Sequence, residues 1–239
     1  MTKTDEMPII AHIDELRKTL IRCMLAVAAF AIPCGIYWKD IFDMAISHSL
    51  KLCGPTVHII YTAPVETVML SVKIAVVCGV VLSSPIIFQQ IWSFISPALY
   101  KEEKVLVIPT ALASTVCFAG GILFSFYTLP VVLKFLTDFA AENLAPFFKV
   151  DEYFGFLIKL SFCFGISFQL PVIAFVLSKI GIIDYKFLAR NFRYAIVAIF
   201  IVAAILTPPD VFSQILLAVP LLALYGLSIL ISFFAGKKS

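Results

Sequence analysis

The sequence predicts an all-α integral membrane protein, a single polytopic domain over residues 1–239 with six transmembrane helices and both termini in the cytoplasm. Three observations carry that reading. The chain is 62% hydrophobic and 14% charged, with a mean hydropathy of +1.04, whereas soluble domains are about half apolar and a quarter charged. Its apolar residues run unbroken over lengths near the ~20 residues that a spanning helix needs, without the alternation of a membrane barrel. Its cationic residues lie mostly on one side of those runs.

The first thirteen residues are polar and carry Asp5 and Glu6, so no cleavable signal peptide is expected. Residues 12–20, HIDELRKTL, place Ile13, Leu16 and Leu20 at helical spacing, with Asp14, Glu15, Arg17 and Lys18 on the other faces. This reads as an amphipathic helix at the cytoplasmic interface that turns into the membrane. The spans are expected at about residues 19–37, 65–92, 105–133, 153–180, 194–206 and 211–234. Loops are expected at 38–64, 93–104, 134–152, 181–193 and 207–210. Of the 18 Lys and Arg, Lys73 and Lys159 fall inside spans and twelve flank one side; only Lys39, Lys51, Lys134 and Lys149 flank the other. That asymmetry over short loops places the termini and the 93–104 loop in the cytoplasm. Lys73 and Lys159 sit near enough to the outer interface to snorkel.

Between the second and third spans the chain surfaces as SPALYKEEK, residues 96–104, exposing Glu102 and Glu103 beside Lys101 and Lys104. Adjacent carboxylates on a short tethered loop suit a cationic ligand; a solvated, self-neutralised turn accounts for the same residues. Glu15, reached from the N-terminal helix, would add to an acidic patch on a basic face. Ser84-Pro85 and Ser96-Pro97 restrict the chain around the loop. In the fourth span, Gln169 precedes Pro171 by two residues. Its amide either satisfies a carbonyl freed by the proline or offers a polar docking point to another helix.

The fifth span has 13 residues, roughly 20 Å of helix, against about 30 Å of hydrocarbon. Its far end should stop within the bilayer, where the chain reads Thr207-Pro208-Pro209-Asp210. Thr as N-cap, Pro at N1 and Asp at N3 make a capping-box-like start for the sixth span. Ser213 and Gln214 add polarity at a depth where lipid offers no hydrogen bonds, which points to thinned bilayer or a partner helix. The six cysteines form no CxxC pair and the histidines are scattered, so no metal site or disulfide framework is expected.

Four stretches resemble one family, the multi-spanning C subunit of the twin-arginine protein translocase, TatC. They are HIDELRKTL at 12–20, SSPIIFQQIWSFISPALYKEEK at 83–104, FGISFQLPV at 164–172 and LTPPDVFSQILLAVPLLALY at 206–225. The resemblance implies a concave, glove-like bundle whose last two helices are short. It implies a receptor and not an enzyme, with no cofactor and no nucleic-acid partner. Cytoplasmic carboxylates of the family recognise signal peptides with consecutive arginines on folded cargo; by motif these match Glu15 and Glu103, with Arg17 and Lys101 in support. The implied partners are TatA- and TatB-type single-span subunits, docked through Thr207, Ser213, Gln214 and Gln169, with further copies of this chain in the assembly. Pro85, Pro208, Pro209 and Asp210 are intramembrane structural positions. Transport would be driven by the proton-motive force, in a bacterial inner membrane sooner than an organellar one. Gln169 stands where the family often has glutamate, Gly226 where it commonly has an acidic residue, and His48 where proline is frequent.

Two rival readings account for the same residues less well. A secondary transporter would line its path with Asp210, Gln169 and Lys73, but the sequence has no internal repeat and no paired broken helices. An intramembrane enzyme would need motifs such as HExxH or GxSxG, and neither occurs.

Overall fold

The computed structural model describes residues 9–53, 58–95, 106–138, 147–207 and 211–236. The first helix, α1 (Ile9–Ile36), is continuous. The expected interfacial helix and first span are therefore one element, because no Gly or Pro interrupts the chain between Ile9 and Ile32. After one turn residue comes α2 (Trp38–Cys53), where a loop was expected. Trp38, Ile41, Phe42, Ala45 and Ile46 recur at the spacing of one helical face. That face packs inward, with Phe42 stacked on Phe154 at 5.2 Å and the Tyr153 hydroxyl donating to the Ala45 carbonyl at 3.4 Å.

The second span, α3 (Pro64–Ile95), starts with proline at its first position, where the missing N–H costs nothing. The Glu66 carboxylate accepts from the Thr62 N–H at 2.8 Å and from the Thr62 hydroxyl, holding that end. The third span is α4 (Val107–Asp138). Strand β1 (His58–Ile60) pairs in parallel with β2 (Phe147–Lys149), tying together the chain leading into α3 and into α5 (Val150–Ser167).

The fourth span is broken. After α5 the chain takes a tight turn at Phe168 and Gln169 and continues as α6 (Leu170–Lys179), with Pro171 in its first turn. The loop expected next contains a six-residue helix, α7 (Tyr185–Arg190). The short span is α8 (Phe192–Leu206), 15 residues, and the last is α9 (Val211–Ala235), 25 residues. At about 1.5 Å per residue the former spans about 22 Å and the latter about 37 Å. Of the final two helices, then, only α8 is short. The length of α9 follows from its packing: its first half lies against α8, and its second half continues along α6, where the Ser178 and Ser232 hydroxyls meet at 2.6 Å.

The core lies where α4 and α5 meet. A Cβ on Gly121 would stand 2.6 Å from the Phe164 carbonyl oxygen, so only glycine permits this approach. Leu129, Leu160 and Phe164 are fully buried around it. By contrast, 6% of the apolar window of α1 is buried, against 50% for α4 and for the α5–α6 span. The first helix is therefore held along one face, by α3, and presents the other to lipid. Lys73 does more than snorkel: it forms an ion pair with Asp151 that links α3 to α5.

Candidate functional site

Of the expected receptor carboxylates, Glu15 is positioned by α1 and its packing on α3. The α1–α3 pair is antiparallel and close. A Cβ on Gly79 would lie 2.9 Å from Ala31, and one on Gly35 would lie 3.4 Å from the Ala75 Cβ. Further down, the Arg22 Nη1 donates to the Gln90 Oε1 at 3.4 Å. These three pairs keep nearly one register. Carried down α1 from Arg22, that register sets Glu15 level with Ile95, the last residue of α3.

Glu15 is partly exposed, but its Oε2 is buried and has no hydrogen-bond partner among the described residues. An acceptor out of water without a donor is costly. A carboxylate so placed is suited to receive a charged donor. Arg17 is exposed on the same helix. Glu103 and Lys101, with Glu102 and Lys104, lie outside the described residues. The flanking helices are described: α3 ends at Ile95 and α4 begins at Val107. Near the end of α3, the buried Trp92 Nε1 donates to the Ser114 hydroxyl at 2.9 Å, joining α3 to α4.

Gln169 belongs to the same polar group. At the break between α5 and α6 its backbone N–H turns to the Ile166 carbonyl, which frees the Gly165 carbonyl from its usual helical bond. The Gln169 Nε2 reaches that carbonyl at 3.4 Å and the Ser114 carbonyl at 3.1 Å. Its donors are taken up within the bundle, so it is a brace for the broken helix and not an outward docking point. Trp92, Ser114 and Gln169 also line a largely apolar cavity of about 390 Å³ with Phe88, Ile95 and Ile173.

At the opposite membrane face the polar residues again turn inward. The Thr207 hydroxyl donates to the Ala203 carbonyl at 2.8 Å, ending α8. Gln214 Nε2 donates to the Phe200 carbonyl at 3.1 Å, joining α9 to α8, and Ser213 is fully buried. Their expected place on an outward face is corrected accordingly: a hydroxyl or amide in hydrocarbon is satisfied first by its own chain. What α8 and α9 present outward is apolar, including Ile201, Ile205, Val211 and Ile215. Pro208, Pro209 and Asp210 lie outside the described residues. Pro85 is exposed inside α3, ten residues before its end, and does not border the loop.

Sequence reasoning missed the Arg22–Gln90, Trp92–Ser114 and Lys73–Asp151 contacts. Their partners are 68, 22 and 78 residues apart, and the only local signal is a polar or indole group inside an apolar run.

With this geometry in place, the chain compares closely with known proteins. A family profile described as Sec-independent protein translocase protein (TatC) matches residues 11–220. The TatC protein of Helicobacter pylori strain J99 is 42% identical over 222 residues, 92% of this chain and 87% of that one. That of Aquifex aeolicus is 39% identical over 238 residues, 97% of both chains. That of Escherichia coli K12 is 34% identical over 239 residues, 99% of this chain and 93% of that one. Among solved structures, a twin arginine translocase receptor, TatC, superposes with a TM-score of 0.84 at 37% identity, covering 94% of this chain and 99% of that one.

Proposed function

The chain belongs to the TatC family of Sec-independent protein translocase proteins, and from that premise we propose that it is the receptor subunit of a twin-arginine translocase. The family is a translocase and not an enzyme family, and the solved relative is a twin arginine translocase receptor. Kinship over nearly the whole chain favours the receptor over a small-solute transporter.

Glu15 and Glu103 each receive one arginine of the signal peptide, with Arg17 and Lys101 supporting the site, while Glu102 faces solvent beside a lysine. The observation that carries this reading is the buried, unpartnered Oε2 of Glu15, set by the α1–α3 register at the level from which the Glu103 loop departs. A guanidinium offers a planar fork that two carboxylate oxygens accept together, which an ammonium cannot imitate. A labelled twin-arginine peptide titrated against the full chain in nanodiscs tests it. Replacing both arginines by lysine keeps the charge and should weaken binding at least about tenfold, the loss of about 1.4 kcal/mol. Equal affinity for the two peptides refutes the bidentate reading.

The membrane setting follows the charge asymmetry: a multi-pass protein of the bacterial inner membrane, termini and receptor site in the cytoplasm, export driven by the proton-motive force. Single-span partners of the TatA and TatB type dock along the outward α8–α9 face, and further copies of this chain complete the assembly. Ile201, Ile205 and Ile215 supply the packing surface there.

A further inference from the structure

Among the cavities described, one is markedly polar. It holds about 540 Å³ where the outer end of α8 meets α3 and α5, and Lys73, Asp151, Glu152, Gly155, Lys159 and Thr207 line it. None of these charges belongs to the receptor site at the other face. Lys159 is nine residues into α5, about 13 Å along the helix from its start. Lys73 is nine residues into α3, which begins on the same side. The short α8 ends at this level, with Leu206 and Thr207 in the cavity wall. The notch thus opens in the membrane plane, beneath the surface at which α3 and α5 start.

Its charges are ordered by depth. The carboxylates of Asp151 and Glu152 stand in the first turn of α5, and the ammonium of Lys159 lies two turns further in. Asp151 is taken by Lys73, and among the described residues Glu152 has only the exposed Lys149 at 4.0 Å. Lys159 is exposed and has no carboxylate within ion-pair distance among the described residues. Between the acid and the base, on the same face, is Gly155, where an added Cβ would meet nothing within 4 Å. The site has an anion receptor deep, a cation receptor shallow, and open space between them.

We infer that this notch binds the zwitterionic headgroup of an aminophospholipid from the adjoining leaflet, with Lys159 on the phosphate and Glu152 on the primary ammonium. A lipid of that leaflet carries its phosphate nearest the hydrocarbon and its ammonium toward water, which is the order of charges along α5. A primary ammonium has three N–H donors for the Glu152 carboxylate; a trimethylammonium has none. A purely anionic headgroup would satisfy Lys159 but would face two carboxylates.

The test is lipid retention by the full chain, released from nanodiscs of equal parts phosphatidylethanolamine, phosphatidylcholine and phosphatidylglycerol with the same acyl chains and read by native mass spectrometry. Phosphatidylethanolamine should be retained over the other two by roughly tenfold, the effect of about one charge-assisted hydrogen bond. Lys159→Gln should lower retention of all three lipids, whereas Glu152→Gln should abolish only the preference for the primary amine. Gly155→Leu adds bulk to the open space without changing charge, starting from a Cβ that meets nothing within 4 Å, and it reads the same site should a charge variant fail to fold. It too should lose the bound lipid. Inorganic phosphate added to the same sample should displace nothing. Preference for phosphatidylglycerol, displacement by free phosphate, or wild-type retention in Gly155→Leu would each overturn the assignment.

Discussion

Replacing Glu15 by glutamine separates a binding role from a structural one, because the two predict changes of opposite sign in stability. In the free protein the Oε2 is buried without a donor, and leaving such a group unsatisfied costs about 1–3 kcal/mol, more when it is charged. Glutamine keeps the shape, removes the charge and brings its own donors, so the free protein should be as stable as wild type or more so. With peptide bound, the same oxygen meets an arginine. Removing one partner of a buried, hydrogen-bonded charge pair costs about 2–5 kcal/mol, and 2 kcal/mol is about thirtyfold in affinity. The assay pairs a fluorescence-anisotropy titration of a twin-arginine peptide in nanodiscs with a thermal melt of the same sample. A loss of at least about tenfold in affinity with an unchanged or raised melting temperature is expected. Unchanged affinity refutes the role of Glu15 in recognition. Lost affinity with a lowered melting temperature means that Glu15 holds the fold and that its effect on binding is indirect.

Three further outcomes are expected. Glu103→Gln should weaken the peptide as Glu15→Gln does and stop most export, while Glu102→Gln, outside the proposed site, should change little; a larger loss at Glu102 would reverse the assignment. Cysteines placed on the outward positions of α8 and α9 around Gln214 should crosslink a small single-span protein in membranes, and crosslinks only to other copies of this chain would count against partner docking there. Gly121→Ala should lower stability by about 1–3 kcal/mol, because its Cβ would fall 2.6 Å from the Phe164 carbonyl; a melting temperature equal to wild type would show that α4 and α5 can separate at no cost.

The membrane itself made much of this protein legible in its sequence. Hydrocarbon about 30 Å thick demands apolar runs of a set length, so helices long and apolar enough to cross it, five among the described residues, and the shortness of α8 could be anticipated from the sequence. Of the proposed receptor residues, Glu15 could be placed on α1 from its helical spacing, whereas Glu103 lies outside the described residues. Helix α2 was missed although its apolar face was written in the chain, because a 16-residue amphipathic segment too polar for a span looks like loop until something is seen to cover it. What tertiary structure alone decided is which way the polar groups face. Thr207, Ser213 and Gln214 read as outward offers, and Gln169 as either that or a local brace beside Pro171, since polarity at membrane depth implies a partner without naming one. The partner proved to be this chain: Ser114 and Gly165 for Gln169, Ala203 for Thr207, Phe200 for Gln214. The same holds for Lys73, whose counter-ion Asp151 is 78 residues away, and for Gly121, whose necessity lies in a carbonyl of α5. A span's existence depends on its own twenty residues and the lipid around it, whereas the direction of each side chain depends on which helix lies beside it, and only the packed bundle fixes that.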